Sequence, residues 1–246
     1  MSSFRIAIWS HRLSTSAIWK LDIRSKSLLI PCYVVPLLFF AMMGGIFTSI
    51  NPEAKDTLTQ SMTVMGVSMG ALIGLPPSLV ETYASDIKKV YKANGVPLYF
   101  GLVSIFLSTF IHLLLMSAII YCVAPIAFDA TPPANLPLYF RSLAVFIAVS
   151  LSVGSVLGLA VKKQAKLTMI SQLIFLPSIM LSGILFSVDC LPKALRIVGK
   201  IFPATWGYAW MADDGFSFGN LWPLAAILLI AVIILGFLLK RLKSES

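Results

Sequence analysis

Six long apolar stretches, separated by short segments that carry most of the charges, restrict how this chain folds more than any other feature. Each stretch supplies about 20 mostly apolar residues, which is the length that an α-helix needs to cross the hydrocarbon core of a bilayer. The stretches lie near residues 28–50, 61–80, 97–122, 140–161, 167–187 and 221–240. We therefore expect an all-α integral membrane protein in which residues 1–246 form one transmembrane domain of six helices.

The composition fits the same class. Hydrophobic residues make up 58% of the chain and charged residues only 12%, whereas a soluble domain has about 25% charged residues. In a soluble protein the net charge of +9 would favour nucleic acid as a partner. Here the basic residues are better explained by loops held in the cytoplasm, so we expect membrane lipid and no nucleic acid. The three cysteines lie far apart and indicate neither a metal site nor a disulfide framework.

The basic residues also predict the orientation of the chain. Lysine and arginine residues number five in 1–27, one in 51–60, three in 81–96, none in 123–139, three in 162–166 and three in the tail after residue 239. By the positive-inside rule, both termini of this multi-pass protein face the cytoplasm, in the cytoplasmic (inner) cell membrane. The connection between the fifth and sixth stretches, with Lys193, Arg196 and Lys200, is the exception.

Residues 1–27 combine their basic residues with apolar residues that recur at spacings of three and four. This pattern predicts an interfacial helix on the cytoplasmic face, with Trp9 and Trp19 at headgroup depth. The alternative is a basic, partly disordered arm.

Glycines recur at every fourth position in two of the stretches. Gly66, Gly70 and Gly74 lie in the second stretch, and Gly154 and Gly158 lie in the fourth. Small residues at this spacing let helix backbones approach closely, inside one subunit or between subunits.

Two further features concern the second and the fifth stretches. Pro76-Pro77 is expected to end or kink the second helix. Gln172 in the fifth is expected to hydrogen-bond between packed helices.

The fifth stretch contains Pro177 and Gly183, and it runs into a segment that is too charged to span lipid. Broken backbone at membrane depth is tolerated only where it is buried in protein or lines a cavity. We therefore expect the fifth helix to break near the outer surface and to fold back as short interfacial helices, which form a re-entrant hairpin before the sixth.

This region resembles a known family. Pro177-Ser-Ile-Met-Leu-Ser-Gly183, Phe186, Leu191-Pro192 and Ile201-Phe-Pro203-Ala-Thr205 are similar to the fifth span and outer loop of ABC-2 type transporter permeases. The resemblance extends more loosely over the whole chain, through the number of spans and the charges of the loops. It implies an exporter in which two permeases, this chain and a second copy or a homologue, work with two separate ATPase subunits. Pro177, Gly183, Pro192 and Pro203 then belong to an outer gate.

By the same resemblance, segment 81–96 corresponds to the coupling helix that seats in the ATPase. The residues expected to make this contact are Glu81, Asp86, Lys88, Lys89 and Lys92. The family often has Glu-Arg at the start of this loop, where this chain has Glu81-Thr82. The composition of the segment by itself fits a solvated charged loop equally well.

Nucleotide has to be bound elsewhere, because the sequence contains no GxxxxGK[ST] phosphate loop. ATP and Mg²⁺ are therefore expected on the partner chain, and this chain is expected to bind no cofactor or metal and to catalyse no reaction. The central parts of the spans hold no Asp or Glu, which argues against proton-driven antiport.

Soft apolar side chains of the first and fifth spans are candidates for an apolar substrate path. The expected path residues are Phe39, Phe40, Met43, His112, Ile179 and Met180. Each apolar residue fits a lipid-facing or core position as well, and His112 fits an interior imidazole that hydrogen-bonds a neighbour.

We thus expect the permease of an ATP-driven exporter for lipophilic drugs, antibiotics or hydrophobic peptides, which works by alternating access. Three alternatives remain: export of polysaccharide or lipid-linked glycan, an ATP-independent membrane scaffold, and an intramembrane serine protease. The last rests on Gly66-Val-Ser68-Met-Gly70, which matches the GxSxG pattern, with His112 as the base.

Overall fold

The structure, a computed structural model, describes residues 30–50, 52–84, 97–185, 187–213 and 218–244, and every regular element in these ranges is helical. The long helices are α1 (Ile30–Ile50), α2 (Leu58–Met69, Gly70–Gly74 and Leu75–Ala84), α3 (Leu98–Phe128), α4 (Leu136–Ala160) and α5 (Gln164–Met180). Two short helices, α6 (Lys193–Gly199) and α7 (Pro203–Ala212), precede the long helix α8 (Phe218–Ser244). Short 3₁₀ turns occupy Pro52–Asp56 and Val188–Cys190.

The expected all-α, multi-pass class is confirmed. Among the described residues, five stretches are long and apolar enough to cross a membrane: Ile30–Ile50, Leu58–Tyr83, Leu98–Phe128, Leu136–Ala160 and Gly219–Leu242. Helix α5 has 17 residues, at the lower limit of about 17–25 that a membrane-spanning helix needs. The count of six spans therefore stays a prediction.

Helix α3 is longer than the sequence predicts. It runs through Pro125 to Phe128, six residues beyond the expected end at 122. The ring of Phe128 packs edge-on against Phe40, with 5.3 Å between the ring centroids, and it occupies the space beside Gly44. These contacts with α1 explain the extra turns, because continuing the helix carries Phe128 to this packing position.

The proline pair Pro76-Pro77 does not end α2. The helix widens into a π-helical turn at Gly70–Gly74, directly before the prolines, and then continues to Ala84. The amide of Leu75 donates to the carbonyl of Gly70 in this turn. Such turns are a known way for a helix to accommodate a local break in its hydrogen-bond ladder.

Helix α2 is the centre of the bundle. In its most apolar stretch 83% of the residues are buried, compared with 22% in α1 and 11% in α8. All residues from Leu58 to Leu72 are buried, including polar ones such as Thr59, Gln60 and Thr63. Helices α1, α3, α4 and α5 pack around α2, whereas α8 packs on α4 and α7.

The glycines of α2 lie where α1 and α3 approach. A methyl group on Gly66 would lie 2.7 Å from the terminal methyl carbon of Met116, and one on Gly70 would overlap the Leu113 side chain. A methyl group on Gly74 would lie 3.2 Å from Pro31. The stripe thus serves packing inside one chain, which is the first of the two roles predicted for it.

The glycines of α4 face the opposite side of α2. A side chain at Gly154 would overlap the backbone carbonyl oxygen of Ala71, and one at Gly158 would lie 2.8 Å from Cβ of Leu79. Backbone therefore meets backbone between α2 and α4. This arrangement is the close approach that the four-residue spacing predicts.

Two expectations concern parts of the chain outside the described residues. The interfacial helix predicted for 1–27 lies there, and so do Asp86, Lys88, Lys89 and Lys92 of the expected coupling segment. Both stay predictions.

We expect Gly154→Ala to destabilise the bundle by about 1–3 kcal/mol, because the new methyl group meets backbone, which does not move aside as a side chain does. The measurement is the midpoint of thermal unfolding of the purified protein in detergent.

Gly236→Ala in α8 is the matched control, since no atom lies within 4 Å of the added methyl group. It should leave the midpoint unchanged or raise it slightly. Equal effects of the two substitutions would contradict the packing described between α2 and α4.

Candidate functional site

One end of the bundle gathers segments 52–56, 129–135, 181–185 and 187–213, and we call it the hairpin end. Lys55 forms an ion pair with Asp129, with 3.6 Å between Nζ and Oδ2. The amide of Thr131 donates to the carbonyl of Lys55, and its hydroxyl donates to Oδ1 of Asp56. The connections after α1 and after α3 are therefore held together at this end.

The chain turns sharply after α5. Pro177 lies inside the helix, which continues for three residues to Met180. Gly183 has a φ of +89°, a value that L-residues with side chains rarely adopt. Its missing side chain also makes room for Val188, whose Cγ2 would lie 2.8 Å from a methyl group at this position. The turn therefore requires glycine here.

The two prolines that follow mark helix starts. Pro192 directly precedes α6, and Pro203 is the first residue of α7. At these positions a backbone amide has no partner within the helix, so a proline, which lacks the amide hydrogen, costs no helical hydrogen bond. The sequence thus identified the residues at which the hairpin end changes direction, and their action as a gate stays a prediction.

The short helices fold back onto the bundle. Gly199 at the end of α6 packs so closely on the Leu181 carbonyl that a methyl group would lie 2.7 Å from its oxygen. In α7, Gly207 lies directly on the ring of Phe146, and Trp210 is buried. Helix α7 is therefore packed among α2, α4 and α8. The expectation that these pieces lie at the membrane interface stays a prediction.

The expected path residues lie in different surroundings. Phe40 and Ile179 are buried, Met43 is half-buried, and Phe39 and Met180 are exposed on the outside of the bundle. Helices α1 and α5 each pack on α2. A path that includes these residues would therefore run beside α2.

His112, the sixth expected path residue, is buried between α1 and α3. Its Nδ1 shares a hydrogen bond of 2.8 Å with the hydroxyl of Tyr33, and the two rings meet edge to face. This geometry confirms the interpretation of His112 as an interior imidazole that hydrogen-bonds a neighbour. The bond ties the π-helical turn at the start of α1 to the middle of α3.

The serine-protease alternative finds no support in the described residues. Ser68 lies within the α-helical part of α2, Leu58–Met69, and not on the strand-to-helix turn that the GxSxG elbow requires. No hydrogen bond joins Ser68 to His112 in the part of the chain that the structure describes.

Gln172 corrects another expectation. It lies on the exposed side of α5, next to the exposed Leu173, and it makes no hydrogen bond to the described residues. Among the described residues of one chain, the predicted interhelical hydrogen bond of Gln172 is therefore not formed.

A cavity of about 660 Å³ opens at the hairpin end. It lies between the end of α1, the start of α2 and the turn after α5, and none of the six expected path residues lines it. Its apolar wall is formed by Phe47, Ile50, Leu58, Ile184, Leu185 and Val188. Of the expected gate residues, Gly183 lines it.

Sequence reasoning missed the residues that give this cavity its polar and aromatic character: Glu53, Tyr208 and Ser61. They come from three separate segments, so no spacing in the sequence relates them. The sequence feature that could have indicated this cavity is the position of the first and fifth apolar stretches, because both end at it.

The opposite end of the bundle holds the start of the expected coupling segment. Glu81 is exposed near the end of α2, and residues 85–96 of the segment lie outside the described residues. In the described ranges no three acidic, histidine or cysteine side chains lie close enough together to hold a metal ion.

Comparison with known proteins gives one match. A family model described as ABC-2 family transporter protein matches residues 51–239, which include α2 to α7 and most of α8. Comparisons with curated proteins and with solved structures gave no match.

We expect Tyr33→Phe to lower the free energy of unfolding by about 0.6 kcal/mol, and by at most about 2, because it removes one interhelical hydrogen bond inside the membrane. Tyr99→Phe is the control, since Tyr99 is exposed at the start of α3. Thermal unfolding in detergent measures both, and a Tyr33→Phe protein as stable as the control would contradict a role for this bond.

Proposed function

The chain belongs to the ABC-2 transporter family, and on this premise we propose that it is the permease subunit of an ATP-driven exporter. The proposed cargo is a lipophilic drug, an antibiotic or a hydrophobic peptide. The observation that carries the proposal is the family match over residues 51–239. The coarser statement, that this is a membrane-spanning transport component, follows from the family itself.

The proposed engine is a separate ABC ATPase chain that binds ATP and Mg²⁺. Two facts support a separate ATPase. The sequence has no phosphate-binding loop, and Glu81, near the last turn of α2, is exposed on the side of the bundle opposite the hairpin end. Residues 81–84 of segment 81–96 end α2, the most buried helix of the bundle. A push on this segment would be transmitted directly to α2, on which α1, α3, α4 and α5 pack.

A second permease, identical or homologous, is proposed to complete the path. Helices α1 and α5 carry large exposed apolar side chains, among them Met42 and Leu173. Gln172 lies on the same exposed side of α5. An amide that faces lipid alone is costly, and a second copy would supply a hydrogen-bond partner for it. A subunit contact that includes this face of α5 accounts for both features.

In the proposed cycle, ATP closes the ATPase dimer and moves the coupling segment and the N-terminal helix. The path beside α2 then opens toward the hairpin end, where the turn at Gly183 and the helices α6 and α7 form the outer gate. ATP hydrolysis resets the transporter. The proposed orientation has both termini in the cytoplasm, so the hairpin end faces outward.

We expect a tagged copy of this chain to co-purify with a stoichiometric ATPase, and the triple variant Lys88→Gln, Lys89→Gln, Lys92→Gln to lose most of it. Each exposed charge pair is worth about 0.2–1 kcal/mol, so three together correspond to roughly a tenfold loss of affinity. The measurement is the amount of ATPase that is retained per permease after washing.

The control neutralises three basic residues of the tail, Lys240, Arg241 and Lys243, and it should retain the ATPase. A wild-type chain that arrives without any ATPase would fit the scaffold alternative instead. Transport by the purified chain alone would also contradict the proposal.

A further inference from the structure

The cavity at the hairpin end has the size and the walls of a small-molecule site. Its volume of about 660 Å³ falls within the range of roughly 300–1,000 Å³ that is typical of ligand pockets. Most of its wall is apolar, and the hydroxyls of Thr57, Ser61 and Ser187 supply a few polar positions. A mostly apolar molecule with a small polar part matches this surface.

The described wall of the cavity carries charge of one sign. Glu53 is the only charged residue among the described residues that line it, and its side chain is exposed, so it lies toward the water side. Lys55, two residues away, does not line the cavity and pairs with Asp129. A bound ligand therefore meets a carboxylate at the rim and no lysine or arginine of the described wall.

Two aromatic rings add to this preference. Phe47 comes from the last turn of α1 and Tyr208 from α7, and both line the cavity. The face of an aromatic ring attracts cations, by about 0.5–2 kcal/mol depending on exposure. A largely apolar wall that contains both aromatic rings and a carboxylate is suited to binding large, weakly hydrated organic cations.

We propose that this cavity binds an amphipathic organic cation, with its apolar body between α1 and the turn after α5 and its charge beside Glu53. The role of such a cation as transported cargo rests on the proposed function, whereas its binding does not. A lipophilic anion of the same size should be rejected, because it would bring its charge to the carboxylate.

The test compares two ions of nearly equal size and shape and opposite charge, tetraphenylphosphonium and tetraphenylborate. Their binding to the purified chain in nanodiscs of zwitterionic lipid is measured by equilibrium dialysis, with empty nanodiscs as the background. We expect saturable binding of the phosphonium only. Glu53→Gln should weaken its binding by about three- to fivefold, as expected for one partly exposed charge pair, whereas Glu53→Asp should largely retain it.

Three further variants locate the site. Ile50→Trp fills the cavity from its exposed edge and should reduce binding without unfolding the protein. Tyr208→Leu should weaken binding of the phosphonium. Asp189→Asn is the matched control, since Asp189 is an exposed carboxylate next to the lining residue Val188 but outside the wall, and it should change nothing.

Equal binding of the two ions, no binding of the phosphonium, or an affinity that is indifferent to both Glu53→Gln and Ile50→Trp would overturn the inference. The outcomes for the two proposals are distinct. A chain that binds the phosphonium through Glu53 but has no ATPase partner contradicts only the exporter. A chain that exports its cargo with ATP, but whose affinity for the phosphonium is unchanged by Glu53→Gln, contradicts only the cation site.

Discussion

The contact of backbone with backbone between α2 and α4 is the constraint on which the rest of the bundle depends. Gly154 rests on the carbonyl oxygen of Ala71, and Gly158 packs against Leu79 one to two turns further along. Lipid tails are as apolar as the side chains that they would replace, so helices in a membrane associate through close packing and hydrogen bonds. Two glycines one turn apart provide that packing at the centre of the molecule.

On its other side, α2 offers a second row of glycines to α1 and α3, and these two helices are held to one another by the bond between Tyr33 and His112. A similar bond joins the hydroxyls of Thr63 on α2 and Tyr139 on α4, 2.8 Å apart. Buried polar groups in such surroundings are costly unless they are paired. The pairs therefore fix the register of helices that apolar packing alone would allow to slide.

Irregular backbone is concentrated where the proposed motion would be needed. The π-helical turns Ile30–Val34 and Gly70–Gly74 pack against each other, and a proline follows each of them closely. At the hairpin end, the turn at Gly183 and Tyr208 of α7 line the cavity of about 660 Å³. The helical ladder is thus interrupted in two regions of the bundle, and one of them includes Ala71 at the contact with α4.

The sequence by itself determined the class of the protein, the approximate position of its membrane helices, the close-packing role of its glycines and the chain reversals after α5. These properties follow from local quantities such as the length of an apolar run, the four-residue spacing of small residues and the backbone preferences of proline and glycine. Only the tertiary structure decided that α2 is the central helix, that α7 is buried, that Gln172 faces outward and that Phe47, Glu53 and Tyr208 share one cavity. Those properties depend on which face of each helix meets its neighbours, and a chain that is apolar on nearly every face carries little periodic signal from which that choice can be predicted.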